Sequence, residues 1–297
     1  MKMVTKVLFV LVLLLFSVGA LSESYKPGDT IVFGRYEQDN DIYDGHEPIS
    51  WRVLSVEGNE ALLISTYALD AKPYSTKGVL ASWVDSTLRT WLNETFYITA
   101  FTEEEKQRIV TKTLSNWHEP ATTDTVFLLD NDQAKHLFAD HADRMVKATA
   151  FAEAQKPYIS REFGPDNVHW WLRTISWESD YMASFVATSG GVMTCGGESL
   201  GAIGNPKIAV RPCIWLNLDG FVEETVEPYM RPHKVLITNE VIVNVRKEPD
   251  AKASRIGTAT PGKTYGLISQ ADNGWYEIVL EDGTTGFVSY KVAQKIE

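Results

Sequence analysis

His169-Trp170-Trp171-Leu172-Arg173-Thr174 and, about forty residues on, Ile208-Ala209-Val210-Arg211-Pro212-Cys213-Ile214-Trp215-Leu216 are the two stretches on which the fold turns. Both are short apolar runs rich in aromatic and β-branched residues, and each carries one arginine among side chains that otherwise belong in a core. That composition predicts central strands of a mainly antiparallel sheet, neighbours in one interior. Strand alternation puts Trp170 and Trp171 on opposite faces. One is therefore expected in the core, and the other, with Trp177, is left to cover a helix or to stack on a sugar or peptide.

Outward from this centre, Ile49-Ser50-Trp51-Arg52-Val53-Leu54 and Ala61-Leu62-Leu63-Ile64-Ser65 flank Gly58-Asn59 and predict a hairpin with Trp51 in the core. A strand is expected at Thr30–Tyr36. Leu88, Trp91 and Leu92 then fall at helical spacing, with Asp85 or Ser86 as N-cap. Thr102-Glu103-Glu104-Glu105 reads as a capping box before a short helix starting at Ile109. Residues 124–129 return to strand character, Asp130 caps a helix through Ala134, Leu137 and Phe138, and an Ala-rich helix is expected over 145–155. A hairpin turning at Ser189-Gly190-Gly191 follows the tryptophan strand. The result is an α+β unit with helices in the middle and strands at both ends, which should bring its termini together.

Lys2 and Lys6 before the apolar run at 7–16, then Val18-Gly19-Ala20, read as a secretory signal peptide, residues 1–20. The run is too short to span a bilayer, so no membrane span is expected after cleavage and the chain is expected to be secreted or attached to the cell surface or wall. Cleavage leaves 26 Lys and Arg against 39 Asp and Glu, a charge near −13, which disfavours nucleic acid as a partner. Cys195 and Cys213 flank a Gly-rich loop. In an exported chain the pair reads as a disulfide, with two half-buried free thiols as the alternative.

An acidic, proline-bearing segment at 223–232 reads as a linker, dividing residues 21–222 from a tail, 233–297, of different grammar. The tail has short β runs with Asp272-Asn273-Gly274 and Asp282-Gly283 as hairpin turns, the pattern of a small all-β barrel. Val243-Asn244-Val245-Arg246, Ile256-Gly257, Pro261-Gly262, Asn273-Gly274-Trp275-Tyr276 and Gly283-Thr284-Thr285-Gly286-Phe287-Val288 resemble the bacterial SH3 domain in order and spacing. The resemblance implies peptidoglycan or a cell-wall peptide as partner, with Asn244, Arg246, Trp275 and Tyr276 as groove or barrel-core residues. Phe287 stands where that family usually has tryptophan, and Lys247-Glu248 replaces small residues.

The larger unit is similar to the domain of unknown function 6273. The motifs are Ile49-Ser50-Trp51-Arg52-Val53-Leu54, Leu63-Ile64-Ser65, Leu88-Arg89-Thr90-Trp91-Leu92-Asn93, Val126-Phe127-Leu128-Leu129, Trp170-Trp171-Leu172-Arg173 and the Arg211-Pro212 strand. The order of elements looks like the C-type-lectin-like fold, also used by formylglycine-generating enzymes. Neither chemistry carries over: the close reactive cysteine pair is lacking, and Trp215-Leu216-Asn217-Leu218-Asp219 is a remnant of a calcium-lectin motif without its partner.

No complete catalytic constellation and no cofactor motif stands in the chain. His136, Asp140, His141 and Asp143 fall in one expected helix but lack a third metal ligand at a paired spacing, and read as a solvated face. Arg173 and Arg211 are the sharper case, because a guanidinium among strand aromatics must be paired or solvated. Each is either an internal brace or a clamp for a ligand carboxylate or other anion. The expectation is an exported, non-catalytic binding protein, with an unknown ligand for the larger unit. The alternative is a cell-envelope enzyme targeted by its SH3 module, which a concave pocket with two or more convergent titratable groups would favour.

Overall fold

A computed structural model describes residues 25–77, 81–160, 166–176, 179–194, 200–230 and 233–296. The expected signal segment 1–20, Trp177 and Cys195 lie outside the described residues.

The chain is mostly β, with few and short helices. Pro212 sets the architecture of the larger unit. The 208–218 stretch is two strands in two sheets, and this corrects the single strand expected from its apolar run. Ala209–Val210 lies parallel to Trp170–Ile175, with Ala209 opposite Trp170. After Arg211 and Pro212 the chain passes into the other sheet as Cys213–Asn217, antiparallel to Glu60–Ser65. Proline has no N–H for a ladder and cannot continue a central strand. Its carbonyl still accepts from Ser65 N at 3.0 Å, so the crossing leaves that group satisfied.

One sheet runs Thr30–Tyr36, Glu47–Glu57, Glu60–Ser65, Cys213–Asn217, Ile109–Val110, with Val126–Phe127 also paired to Cys213–Asn217. The other runs Val192–Met193, Ala183–Val186, Trp170–Ile175, Ala209–Val210, Asp70–Ala71. Apart from the Trp170–Ala209 step the pairings are antiparallel. The termini of the unit meet, as expected: the rings of Tyr25 and Phe221 are 6.3 Å apart.

Trp170 and Trp171 are both fully buried, so neither is left to stack on a ligand. Alternation does put them on opposite faces, but both faces of this sheet are covered. Trp170 packs on Phe138 and donates its indole N–H to Arg144 O at 3.2 Å. Trp171 packs on Tyr74 and donates to Lys72 O at 2.8 Å.

Helical pieces Thr87–Trp91, Leu92–Phe96 and Tyr97–Ala100 run on from a Ser86 cap. The Thr102–Glu105 capping box is present, but its helix, Glu103–Lys106, ends early and Ile109 begins a strand, because the Cys213–Asn217 edge captures it. The Ala-rich helix shrinks to Ala150–Ala154 behind a Thr149 cap. Gly190, at φ 77°, is required where it stands, since a Cβ there would lie 1.7 Å from His141 O.

The tail forms a separate seven-stranded sheet: Arg255–Ala259, Val243–Arg246, Thr285–Val288, Tyr276–Val279, Thr264–Gln270, Lys234–Ile237, Ala293–Ile296. It has its own core of Val235, Ile237, Val245, Ile278 and Val288. The segment before it, expected as a linker, is laid along the larger unit. Glu223 accepts from Val32 N at 2.6 Å, Glu224 pairs with Arg35 at 3.2 Å, and Tyr229 OH accepts from Ala150 N at 3.2 Å. No helix among the described residues is long and apolar enough to cross a membrane.

Candidate functional site

A cleft of about 430 Å³ opens where three elements meet: the hairpin of Lys112–Asn116 and Glu119–Asp124, the start of the Asn131–His136 helix, and the far end of the Trp170–Ile175 strand. Asp130 Oδ1 accepts from Gln133 N at 2.7 Å, while Gln133 Oε1 accepts from Asp130 N at 3.1 Å, a reciprocal cap that fixes the helix start. Arg173 joins all three elements. It donates to Leu128 O at 2.9 Å and Gln133 Oε1 at 2.6 Å through one nitrogen, and to Asp130 Oδ2 at 2.5 Å and Ser115 O at 3.4 Å through another. The residue is only 4% exposed, and burial lowers its guanidinium below the usual arginine range while Asp130 opposes that fall. Arg173 is thus the internal brace that one of the two sequence readings anticipated, and it also lines the cleft.

Among the described residues, three shielded polar atoms on lining residues have no protein partner: Asn116 Oδ1, Asn131 Oδ1 and Arg173 Nε. Most buried polar atoms in folded proteins are paired, so three at one place require a reason. The Asn116 amide is oriented by its own bonds, Nδ2 donating to Pro120 O at 2.9 Å and Thr122 Oγ1 at 3.1 Å. Among the described residues, the charged lining groups are Asp130, Asp132, Lys135 and Arg173, two of each sign. Trp117, 47% exposed, forms part of the wall. No histidine or cysteine lines the cleft among the described residues. What it offers is hydrogen bonding of both senses, an aromatic face and balanced charge.

The other expected site residues fall elsewhere. Arg211 is 3% exposed, donates to Ser65 O at 2.8 Å and lies over the Trp170 and Phe138 rings at 5.2 and 5.6 Å. Burial pushes its guanidinium down to about 10. It is a core group and not a clamp at the sheet's loop end. Trp170 is equally enclosed and cannot stack on a ligand. Cys213 is a free, buried thiol in a central strand of the core, flanked in register by Ile64 and Phe127, and its expected bridge partner Cys195 lies outside the described residues. His136 and Asp140, expected on one helix, are split between Asn131–His136 and His141–Arg144, where Asp140 is the N-cap. The carboxylate oxygens of Glu37, Asp39 and Glu47 gather within 4.8 Å, but they accept backbone N–H groups of their own loop, Asn40 N on Glu37 at 2.7 Å and Gln38 N on Glu47 at 2.6 Å.

In the tail, Asn244 is exposed and Arg246 donates to Ala253 O at 2.9 Å, both on the outer face of a strand whose Val243 and Val245 face the core. Trp275 is half-buried beside a turn held by Asn273 Nδ2, which donates to Pro249 O at 2.7 Å. Tyr276 packs against the barrel core. The half-exposed Tyr290, not singled out in the sequence, lies against Gly274 next to Trp275.

Sequence reading missed the hairpin that brings Ser115, Asn116 and Trp117 to the cleft. Its signals are modest: Lys112-Thr113-Leu114-Ser115 alternates and Thr122-Thr123 is β-branched, but the turn is Trp117-His118 with no glycine, and His118 takes φ 55° unaided.

Comparison with known families places these features. The model of the domain of unknown function (DUF6273) matches residues 58–218, a span that holds every described residue lining the cleft. A bacterial SH3 domain matches residues 242–293. No curated protein matches the chain. The chain therefore belongs to the DUF6273 family and carries a bacterial SH3 domain behind that unit.

Proposed function

We propose that this is an exported, non-catalytic binding protein of the bacterial cell envelope. Residues 1–20 direct export, residues 21–222 form a unit of C-type-lectin-like type that binds a ligand in the cleft at Arg173, and residues 233–297 bind peptidoglycan or a wall peptide. The observation that carries the wall-binding half is the bacterial SH3 match over residues 242–293, a module that suggests cell-wall or peptide binding. The ligand-binding half is supported by the three unpartnered polar atoms of the cleft.

Retention of the full chain on purified peptidoglycan sacculi tests the first half. Asn244→Ala and Trp275→Ala are expected to lower retention, and equal retention by both variants and the parent would remove the SH3 module from the reading.

A second reading, an envelope enzyme, draws on one observation: the cleft gathers Asp130, Asp132, Lys135 and Arg173, the convergence of titratable groups that an active site needs. Asp130 and Arg173 are committed to each other and to the helix cap, which leaves Asp132 and Lys135 for any chemistry. Release of soluble fragments from sacculi, abolished by Asp132→Asn, would favour the enzyme.

A further inference from the structure

We infer that the cleft walled by Trp117 is a subsite for a neutral saccharide; this rests on the reading of the larger unit as a ligand-binding unit. The unmet hydrogen-bonding needs there are of both kinds. Asn116 Oδ1 and Asn131 Oδ1 can only accept, and Arg173 Nε can only donate. A hydroxyl both donates and accepts, so a polyol satisfies such a mixture without any charge of its own. All three atoms are shut off from bulk water and belong to residues that line the cleft.

Charge points the same way. An anionic ligand would meet Asp130 and Asp132, and a cationic one Lys135 and Arg173, whereas a neutral ligand meets no net repulsion. The half-exposed Trp117 supplies what a sugar's C–H face packs on, at the tip of a hairpin and not in the core. The volume of about 430 Å³ lies within the range of small-molecule sites.

The test uses the full chain on an array of neutral oligosaccharides (glucose, mannose, galactose and N-acetylglucosamine oligomers), acidic glycans and a wall stem peptide, followed by calorimetry with the best neutral oligomer. Binding to neutral oligomers is expected, weakened about fivefold or more by Trp117→Ala and by Asn131→Ala, with melting temperatures unchanged. Asn131→Ala removes an oxygen that has no protein partner, and Trp117 is half-exposed, so neither change threatens the fold. In the parent chain, a shift of the Trp117 indole N–H resonance on titration reads the same contact without any substitution. Binding confined to acidic glycans or to the stem peptide, no glycan binding, or affinity untouched by both substitutions would overturn the inference. Failure of the wall reading shows differently, as sacculus retention unaffected by Trp275→Ala.

Discussion

Arg173 and Asp130 form an ion pair at 2.5 Å in which the arginine is 4% exposed and the carboxylate also caps the Asn131–His136 helix. One aspartate therefore closes a helix and neutralises a buried cation. Asp130→Ala removes both roles and leaves the guanidinium facing only carbonyl and amide oxygens. A loss of about 2 to 4 kcal/mol is expected in urea unfolding. A loss no larger than that of an ordinary cap would mean that the pair contributes nothing.

Arg211 is a contrasting case. It lies over the Trp170 and Phe138 rings, and among the described residues it has no carboxylate in hydrogen-bond contact and its Nη1 has no partner. The side chain is expected to matter for its volume and not for its charge. Arg211→Met should change stability by no more than about 1 kcal/mol, whereas Arg211→Ala, which leaves a cavity, should cost about 3 kcal/mol. Equal losses for both substitutions, seen by denaturant unfolding, would show that the cation itself is needed.

His169 stacks on Tyr158 with ring centroids 4.5 Å apart, and its Nδ1 accepts from Thr188 N at 2.9 Å, which leaves the proton on an Nε2 that has no partner. Burial pulls its pKa down from 6.5 to about 4. The unfolded chain therefore takes up a proton between pH 6.5 and 4 that the folded chain refuses. The stability held above pH 6.5 falls as the pH drops through this window, by about 3 kcal/mol in all. His169→Gln should flatten that part of the curve. An identical acid loss in the variant would put the proton elsewhere.

Burial pushes the Cys213 thiol up to about 12, even with Arg211 and Arg173 pulling the other way. At pH 8 the native chain should carry more than about a thousandfold less thiolate there than an ordinary cysteine would. Alkylation of Cys213 should accordingly be seen by mass spectrometry only after unfolding, and a non-reducing digest should return its peptide as a free thiol. A recovered Cys195–Cys213 cross-link would overturn this expectation.

Gly190 is held at φ 77° with the backbone of His141 against it. Its carbonyl accepts from Arg144 Nε at 2.7 Å, so the turn cannot retreat without losing that bond. Gly190→Ala should destabilise the chain by about 3 kcal/mol. Thermal melting would check this, and an unchanged midpoint would mean that the loops move apart freely.

Elements set by local chemistry were legible before any coordinates. The caps at Ser86, Thr102 and Asp130 and the glycine turns at Gly58, Gly190, Gly274 and Gly283 depend on residues a few positions apart. Thr149, like the hairpin at 112–124, became visible as such only in the structure, because its cap closes a much shorter helix than the alanines predict. Of the cleft, Arg173 alone was anticipated. Asn116, Trp117 and Asn131 were not, since nothing in their own neighbourhoods says that a hairpin, a helix start and a strand end converge.

The amino-acid order by itself determined the aromatic strands, the hairpins that flank them, the acidic balance and the small barrel at the end, because periodicity, capping and turn residues act over short spans of chain. Tertiary structure alone decided that Pro212 hands one apolar run to two sheets, that both faces of the Trp170–Trp171 strand are covered, and that Arg173 reaches a cleft while Arg211 does not. Those outcomes depend on which surfaces cover which and on where the residues beyond a proline find hydrogen-bonding partners, and both are settled by segments far apart in the chain.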